Sequence, residues 1–138
     1  MKVMVYYNLH KQCLSVKALE GAARGRVLFH AQAVQLKSAV FKVSQAGRLR
    51  VLRERSKNVH AGVVGELISH DAVLPDGTTA LLETATQLGL NRALTYDPYR
   101  FTSFVDRDTH APVYQAPECV IVGRRVLVPA SPAAELEH

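Results

Sequence analysis

Cys119-Val120-Ile121-Val122-Gly123-Arg124-Arg125-Val126-Leu127-Val128 decides the fold class. Two short apolar runs flank the dipeptide Gly123-Arg124. Glycine tolerates the positive φ that a type II′ turn needs at its first central position, so the stretch reads as a two-residue β-hairpin. Runs of the same character recur outward from it. They lie at about Val3–Tyr7, Cys13–Ala18, Arg26–Ala31, Ala33–Leu36, Ala39–Ser44, Ala93–Tyr96, Arg100–Asp106 and Pro112–Gln115. A further run, Val59–Ser69, is expected to break at Gly62 or Gly65. These stretches are rich in Val, Tyr, Phe and Thr, and many alternate with the two-residue period of a strand. Phe41, Val43 and Gln45 share one face, with Lys42 and Ser44 on the other.

Two segments read as helices. Thr79–Leu88 has Thr78 as N-cap and Gly89 as C-terminal stop, with Leu81, Leu82, Ala85 and Leu88 on one face. About Ala46–Arg55, Leu49 and Leu52 have helical spacing, Arg50 and Glu54 are four apart, and strand alternation breaks at Leu52. The expected class is α+β: a β-rich domain, mostly antiparallel sheet, with one or two short helices.

A length of 138 residues fits one domain. Residues 1–129 read as a single globular domain and residues 130–138 as a disordered tail. Leu136-Glu137-His138 reads as the start of a polyhistidine tag. Apolar residues at 48% and charged residues at 21% exclude a disordered chain. No heptad run and no 20-residue apolar stretch is present, which excludes a long coiled coil and a membrane-spanning helix. Val3–Tyr7 is too short for the core of a signal peptide. Cys13 and Cys119 lie 106 positions apart and form no CxxC pair. Free thiols in a bacterial cytoplasm are expected, with no membrane partner.

The net charge of +5 is uneven. Residues 1–57 carry twelve cations against two acids, Glu20 and Glu54, a balance of +10. Residues 58–138 carry five arginines against ten acids, a balance of −5. Such asymmetry points to a polyanionic partner, or to two parts that neutralise each other within the fold. The cations are densest at Arg48-Leu49-Arg50-Val51-Leu52-Arg53-Glu54-Arg55-Ser56-Lys57. The planar guanidinium fork suits phosphate, so Arg48, Arg50, Arg53, Arg55 and Lys57 are candidate phosphate contacts. The plainer reading is a solvated face paired with the acidic second part.

Asn58 and His60 follow directly and would share a side of a strand beginning there. His60 is a candidate general base or phosphate donor, with Asn58 orienting it. The plainer reading makes Asn58 a turn residue and His60 a hydrogen-bonded strand histidine. Tyr96 to Phe104 holds four of the nine aromatics, and Tyr99 and Phe101 would share a strand face. Aromatics beside arginine can stack bases, though such clusters more often form core. Tyr6, Asn8 and His10 form a polar stripe that suits either a pocket wall or the wet face of an edge strand. No Gly-rich phosphate loop, GxSxG, HExxH or CxxC motif occurs, so neither a metal nor a cofactor is expected. His70-Asp71 and Asp106 to His110 pair carboxylate with imidazole in what read as loops.

Several of these stretches together resemble a family of small proteins encoded by bacteriophages and prophages. They are Tyr7-Asn8-Leu9-His10-Lys11, Gly47-Arg48 through Arg50-Val51-Leu52-Arg53-Glu54, Lys57-Asn58-Val59-His60-Ala61, and Tyr96-Asp97-Pro98-Tyr99-Arg100 with Phe104-Val105. The resemblance runs over most of the chain. It implies a phage gene acting in a bacterial cytoplasm and brings no catalytic residues with it.

Three function classes remain. The first is a nucleic-acid-associated phage accessory protein holding phosphates with Arg48, Arg50, Arg53, Arg55 and Lys57, helped by Lys37, Lys42 and Arg100. The sequence does not choose DNA over RNA. The second is a protein-interaction module, such as an inhibitor of a host enzyme. The third is an enzyme on a nucleotide or phosphorylated substrate, with His60 or His10 as acid/base, Asn58 orienting and Arg50 or Arg53 holding phosphate. It requires these groups to converge in one pocket. The oligomeric state stays open.

Overall fold

The computed structural model describes residues 1–130. The tail and tag readings therefore lie outside the described residues, Ala130 excepted. The described residues form nine strands and two helices in the order β1 (Lys2–Asn8), β2 (Cys13–Ala18), β3 (Val27–Ala31), β4 (Ala33–Val43), α1 (Gln45–Glu54), β5 (Ala61–Asp71), α2 (Ala80–Gln87), β6 (Arg92–Thr95), β7 (Val105–Asp106), β8 (Gln115–Val122) and β9 (Arg125–Val128). The strands make one sheet in the order β3-β2-β1-β5-β4-β8-β9-β6-β7, and every pair is antiparallel. The class is β-rich α+β, as the runs of Val, Tyr and Thr imply.

The β8–β9 hairpin forms at the expected residues, with Val122 opposite Arg125. Gly123 takes φ +58° and Arg124 does not take positive φ, the type II′ pattern. Val59–Ser69 does not break. It runs unbroken as β5 from Ala61, because its glycines serve close packing rather than turning. A Cβ at Gly62 would lie 3.0 Å from the Val5 carbonyl oxygen, and one at Gly65 would lie 2.9 Å from that of Lys37. The runs Ala33–Leu36 and Ala39–Ser44 are one strand, β4, kinked by a bulge between Lys37 and Val40 where Ser38 takes φ +53°. β4 ends at Val43, so Gln45 opens α1 instead of continuing the face of Phe41 and Val43.

Arg100–Asp106 is strand only at Val105–Asp106, and Pro112–Gln115 gives an isolated bridge at Pro112 before β8 begins. Tyr99 and Phe101 thus share no strand face. Asp97 closes a turn there, its carboxylate accepting from the Tyr99 N–H at 2.8 Å. Pro117 sits within β8 at a point that β9, paired only with Val120 to Val122, does not reach.

Side chains alternate across the sheet, and one face carries Val3, Val5, Leu14, Val16, Val34, Leu36, Phe41, Val63, Cys119, Ile121, Val126 and Val128 in a single buried cluster. Each such aliphatic side chain contributes about 1.5–3 kcal/mol on burial. Strands far apart in order meet in this cluster because the sheet curls. Four strand spacings separate β1 from β9, about 19 Å in a flat sheet. Yet the Arg124 guanidinium lies 4.6 Å from the Tyr7 ring centroid. The opposite face carries α2, whose Leu81 and Ala85 pack with Ala33, Leu90 and Val120. α2 is capped by Thr79, one residue later than expected, whose hydroxyl accepts from the Leu81 N–H. Leu88 stays exposed, outside the buried stripe.

Both cysteines are free. Burial pushes the Cys119 thiol up to about 12, partly offset by a hydrogen bond from the Leu36 backbone. Alkylation of native protein is therefore expected to modify Cys13 alone, and alkylation in denaturant both. Native labelling of Cys119 at the rate of Cys13 would contradict the packing described.

Candidate functional site

The curl forms an open cavity of about 700 Å³. Its floor is buried and apolar: Val5, Leu14, Val63, Leu94, Ile121 and Val126. Its mouth carries Tyr7, Asn8, His10, Arg55, Lys57, Asn58, His60, Tyr96, Tyr99 and Arg124. Among the described residues no carboxylate lines it.

α1 brings the Arg-rich segment to this mouth. Ser44 caps the helix, its hydroxyl accepting from the Gly47 N–H at 3.2 Å. Gly47, Val51 and Arg55 are four apart and so share one face. Val51 is buried, and both Val51 and Arg55 line the cavity. Arg55 ends the helix in the left-handed conformation, φ +53°, which turns the chain across the mouth through Lys57 and Asn58. Arg50 and Arg53 are exposed and do not line the cavity. Arg48 has a structural task. It is half-buried, and its Nε donates to the Phe101 carbonyl at 2.9 Å, while Gln45 donates to the Thr102 carbonyl at 2.8 Å. These bonds tie α1 to the loop before β7.

His60 lies just before β5, and Tyr96 just after β6, four strand spacings away in sheet order. Their side chains nevertheless meet, with His60 Nε2 2.7 Å from the Tyr96 hydroxyl. His60 Nδ1 lies 2.9 Å from the Asn58 carbonyl, which can only accept, so Nδ1–H donates there. In the neutral ring Nε2 then accepts from the tyrosine O–H. The contact to the imidazole is made by the Asn58 backbone carbonyl, from a loop, and not by its side-chain amide from a strand. Burial pushes the Tyr96 phenol up to about 12; Arg48 opposes this and Asp97 adds to it. The phenol thus stays a proton donor across the ordinary pH range. Tyr96 also stacks on Phe104, centroids 5.5 Å apart.

Gly47 permits this arrangement. A Cβ there would fall 2.6 Å from His60 Cβ, an atom fixed to the backbone. Alanine normally favours a helix over glycine by about 1 kcal/mol. Here Gly47→Ala is expected to reverse that sign, costing about 1–3 kcal/mol by overpacking. Urea unfolding checks it, and an unchanged or raised midpoint contradicts the contact.

The remaining candidates separate. His10 lies in the β1–β2 turn, beyond the end of the strand, so Tyr6, Asn8 and His10 are no strand stripe. Asn8 builds that turn, accepting from the backbone N–H groups of His10 and Lys11, both at 3.0 Å. Its amide donates to Ser15 at 3.2 Å, and Ser15 lies 3.0 Å from His30 Nδ1. Tyr99 stands exposed at the mouth. Phe101 does not line the cavity; it lies under Arg100 and against His110. His10, Asn58, His60, Arg55 and Lys57 therefore converge on one cavity, while Arg48, Arg50, Arg53 and Phe101 do not. Tyr7, Tyr96 and Arg124 complete the mouth; no local pattern discloses their place there, because their contacts join segments distant in the chain.

Among the described residues the acids of the second part form no ion pair with the arginine segment. Asp106 pairs with Arg92 at 2.5 Å, and Glu66 with the N-terminal ammonium at 3.3 Å. Asp71 accepts from Thr79 and Ala80, and Asp76 from Thr78. Among the described residues Arg50, Arg53, Arg55 and Lys57 form no ion pair. No helix among those residues is long and apolar enough to cross a membrane.

Residues 1–129 match the family model described as Mycobacterium phage L5 gene 82 protein. The curated Gene 82 protein of Mycobacterium phage L5 is 42% identical over 118 residues, covering 81% of this chain and 82% of that one. No solved structure matches.

Proposed function

The chain belongs to the family of the Mycobacterium phage L5 gene 82 protein, and on that premise we propose that it is a nucleic-acid-associated accessory protein of the phage. Arg50, Arg53, Arg55 and Lys57 hold backbone phosphates in the host cytoplasm. The observation that carries the reading is that all four are exposed and free of acidic partners among the described residues. Unpaired guanidinium groups on one helix and the loop that follows it suit a phosphate backbone. Arg48 drops out of the contact set, since the Phe101 carbonyl holds its Nε.

Anisotropy titration of a labelled duplex over a salt series tests this reading. Four phosphate contacts give a log–log slope of about −3.5 on duplex DNA and about −3 on a single strand. Tight binding with a slope near zero, or no binding at low salt, contradicts it. The enzymatic reading is less favoured. His10, Asn58 and His60 do share a cavity, but both ring nitrogens of His60 already have protein partners.

A further inference from the structure

We propose that the cavity inside the curled sheet binds a small amphiphilic anion, with the ligand's apolar body on the floor and its acidic head at the mouth. The floor residues Val5, Leu14, Val63, Leu94, Ile121 and Val126 offer no side-chain hydrogen-bonding atom. A nucleobase edge seated there would lose its water partners and gain none, a cost of kilocalories per group. An alkyl or fused-ring body loses nothing of this kind. The mouth is the opposite in character. Arg55, Lys57 and Arg124 stand around it, His10 and His60 join them, and no carboxylate among the described residues faces them. An apolar interior behind a polar rim that carries three cations and, among the described residues, no carboxylate is complementary to a molecule with one anionic end. The volume of about 700 Å³ lies within the ~300–1,000 Å³ of small-ligand sites.

Carboxylate and phosphate heads share the required charge. The site shares Arg55 and Lys57 with the proposed nucleic-acid surface, but the two are separable, because Arg124 and the floor take no part in that surface, and Arg50 and Arg53 take no part in the cavity.

The test uses 1-anilinonaphthalene-8-sulfonate, a fused-ring anion, as a fluorescent probe of the whole chain. One saturable site per chain is expected. Decanoate and decyl phosphate should displace the probe, their order identifying the preferred head. Decanol, with the same body and no charge, should need at least about tenfold more. Ala61 is half-buried on the cavity wall, so Ala61→Phe fills the space and should abolish saturable binding. Arg124 is exposed, and Arg124→Gln removes its charge and its contact with the Tyr7 ring; it should weaken decanoate about tenfold while circular dichroism stays that of the parent. An R50Q/R53Q double variant should leave probe affinity within twofold. Saturable binding unchanged in both Ala61→Phe and Arg124→Gln overturns the proposal, as does decanol displacing the probe as well as decanoate. Loss of nucleic-acid binding in the R50Q/R53Q variant with probe binding intact would separate the two readings.

Discussion

Asp106→Ala is expected to destabilise the fold more than any other single change to a polar side chain considered above. Asp106 is buried, and its carboxylate holds three things at once. One oxygen accepts from Arg92 Nε at 2.5 Å. The other accepts from the backbone N–H groups of Asp108 and Thr109, at 2.8 and 3.1 Å. These bonds close the turn after β7 and tie it to β6, where Leu94 pairs with Asp106. Alanine leaves Arg92, itself mostly buried, without its counter-charge. Removing one partner of such a part-buried, charge-assisted pair costs about 1.5–3 kcal/mol. A pH series gives the same residue a signature. The Arg92 hydrogen bond is the first cause, and the Thr109 and Asp108 N–H groups add to it, so the carboxyl lies down at about 2 against an ordinary 3.8. A folded-state value below the unfolded one means a contribution that is complete above pH 3.8 and is lost as pH falls towards 2. Urea midpoints between pH 5 and 2 should fall for the parent chain, and the Asp106→Ala chain should lack that share of the fall. Parallel curves would contradict the pairing.

Arg50→Glu/Arg53→Glu is expected to lower nucleic-acid affinity about 100-fold or more at moderate salt. Two phosphate contacts disappear, and two carboxylates face the backbone in their place. Both positions are exposed on α1, away from Val51 and the Gly47–His60 contact, so circular dichroism and the unfolding midpoint should stay near those of the parent. Arg48→Glu would be a poor substitute, since Arg48 holds α1 to the Phe101 carbonyl and its loss would mix stability with binding. An affinity within threefold of the parent would remove Arg50 and Arg53 from the contact set.

The parts of the fold that the sequence disclosed are those governed by neighbours in the chain. The hairpin at Gly123-Arg124 needs only a residue that accepts positive φ between two apolar runs, and β2 at Cys13–Ala18 needs only its own composition. Gly62 and Gly65 misled because a glycine that ends a strand and one that lets another backbone approach look alike in sequence. Their partners, Val5 and Lys37, are more than 25 positions away. Residues 100–104 have strand-like composition, but Phe104 packs against Phe41 and Tyr96 from a loop, a preference only the assembled core imposes.

The candidate site divides in the same way. The cations of Arg48 to Lys57 are visible in the sequence, whereas the engagement of Arg48 by Phe101 is not. The cavity depends wholly on curl, which joins His60 to Tyr96 and Arg124 to Tyr7 across the sheet. The whereabouts of the acidic charge was half legible. Asp71-Ala72 and Asp97-Pro98-Tyr99 are turn-forming patterns that keep a carboxylate on its own backbone.

The most direct measurement is the salt slope of duplex binding for the parent chain beside the neutral R50Q/R53Q variant. Each lost phosphate contact should remove about one unit, so the slope should fall in magnitude from about 3.5 to about 2. Equal slopes in the two chains would contradict phosphate contact through α1.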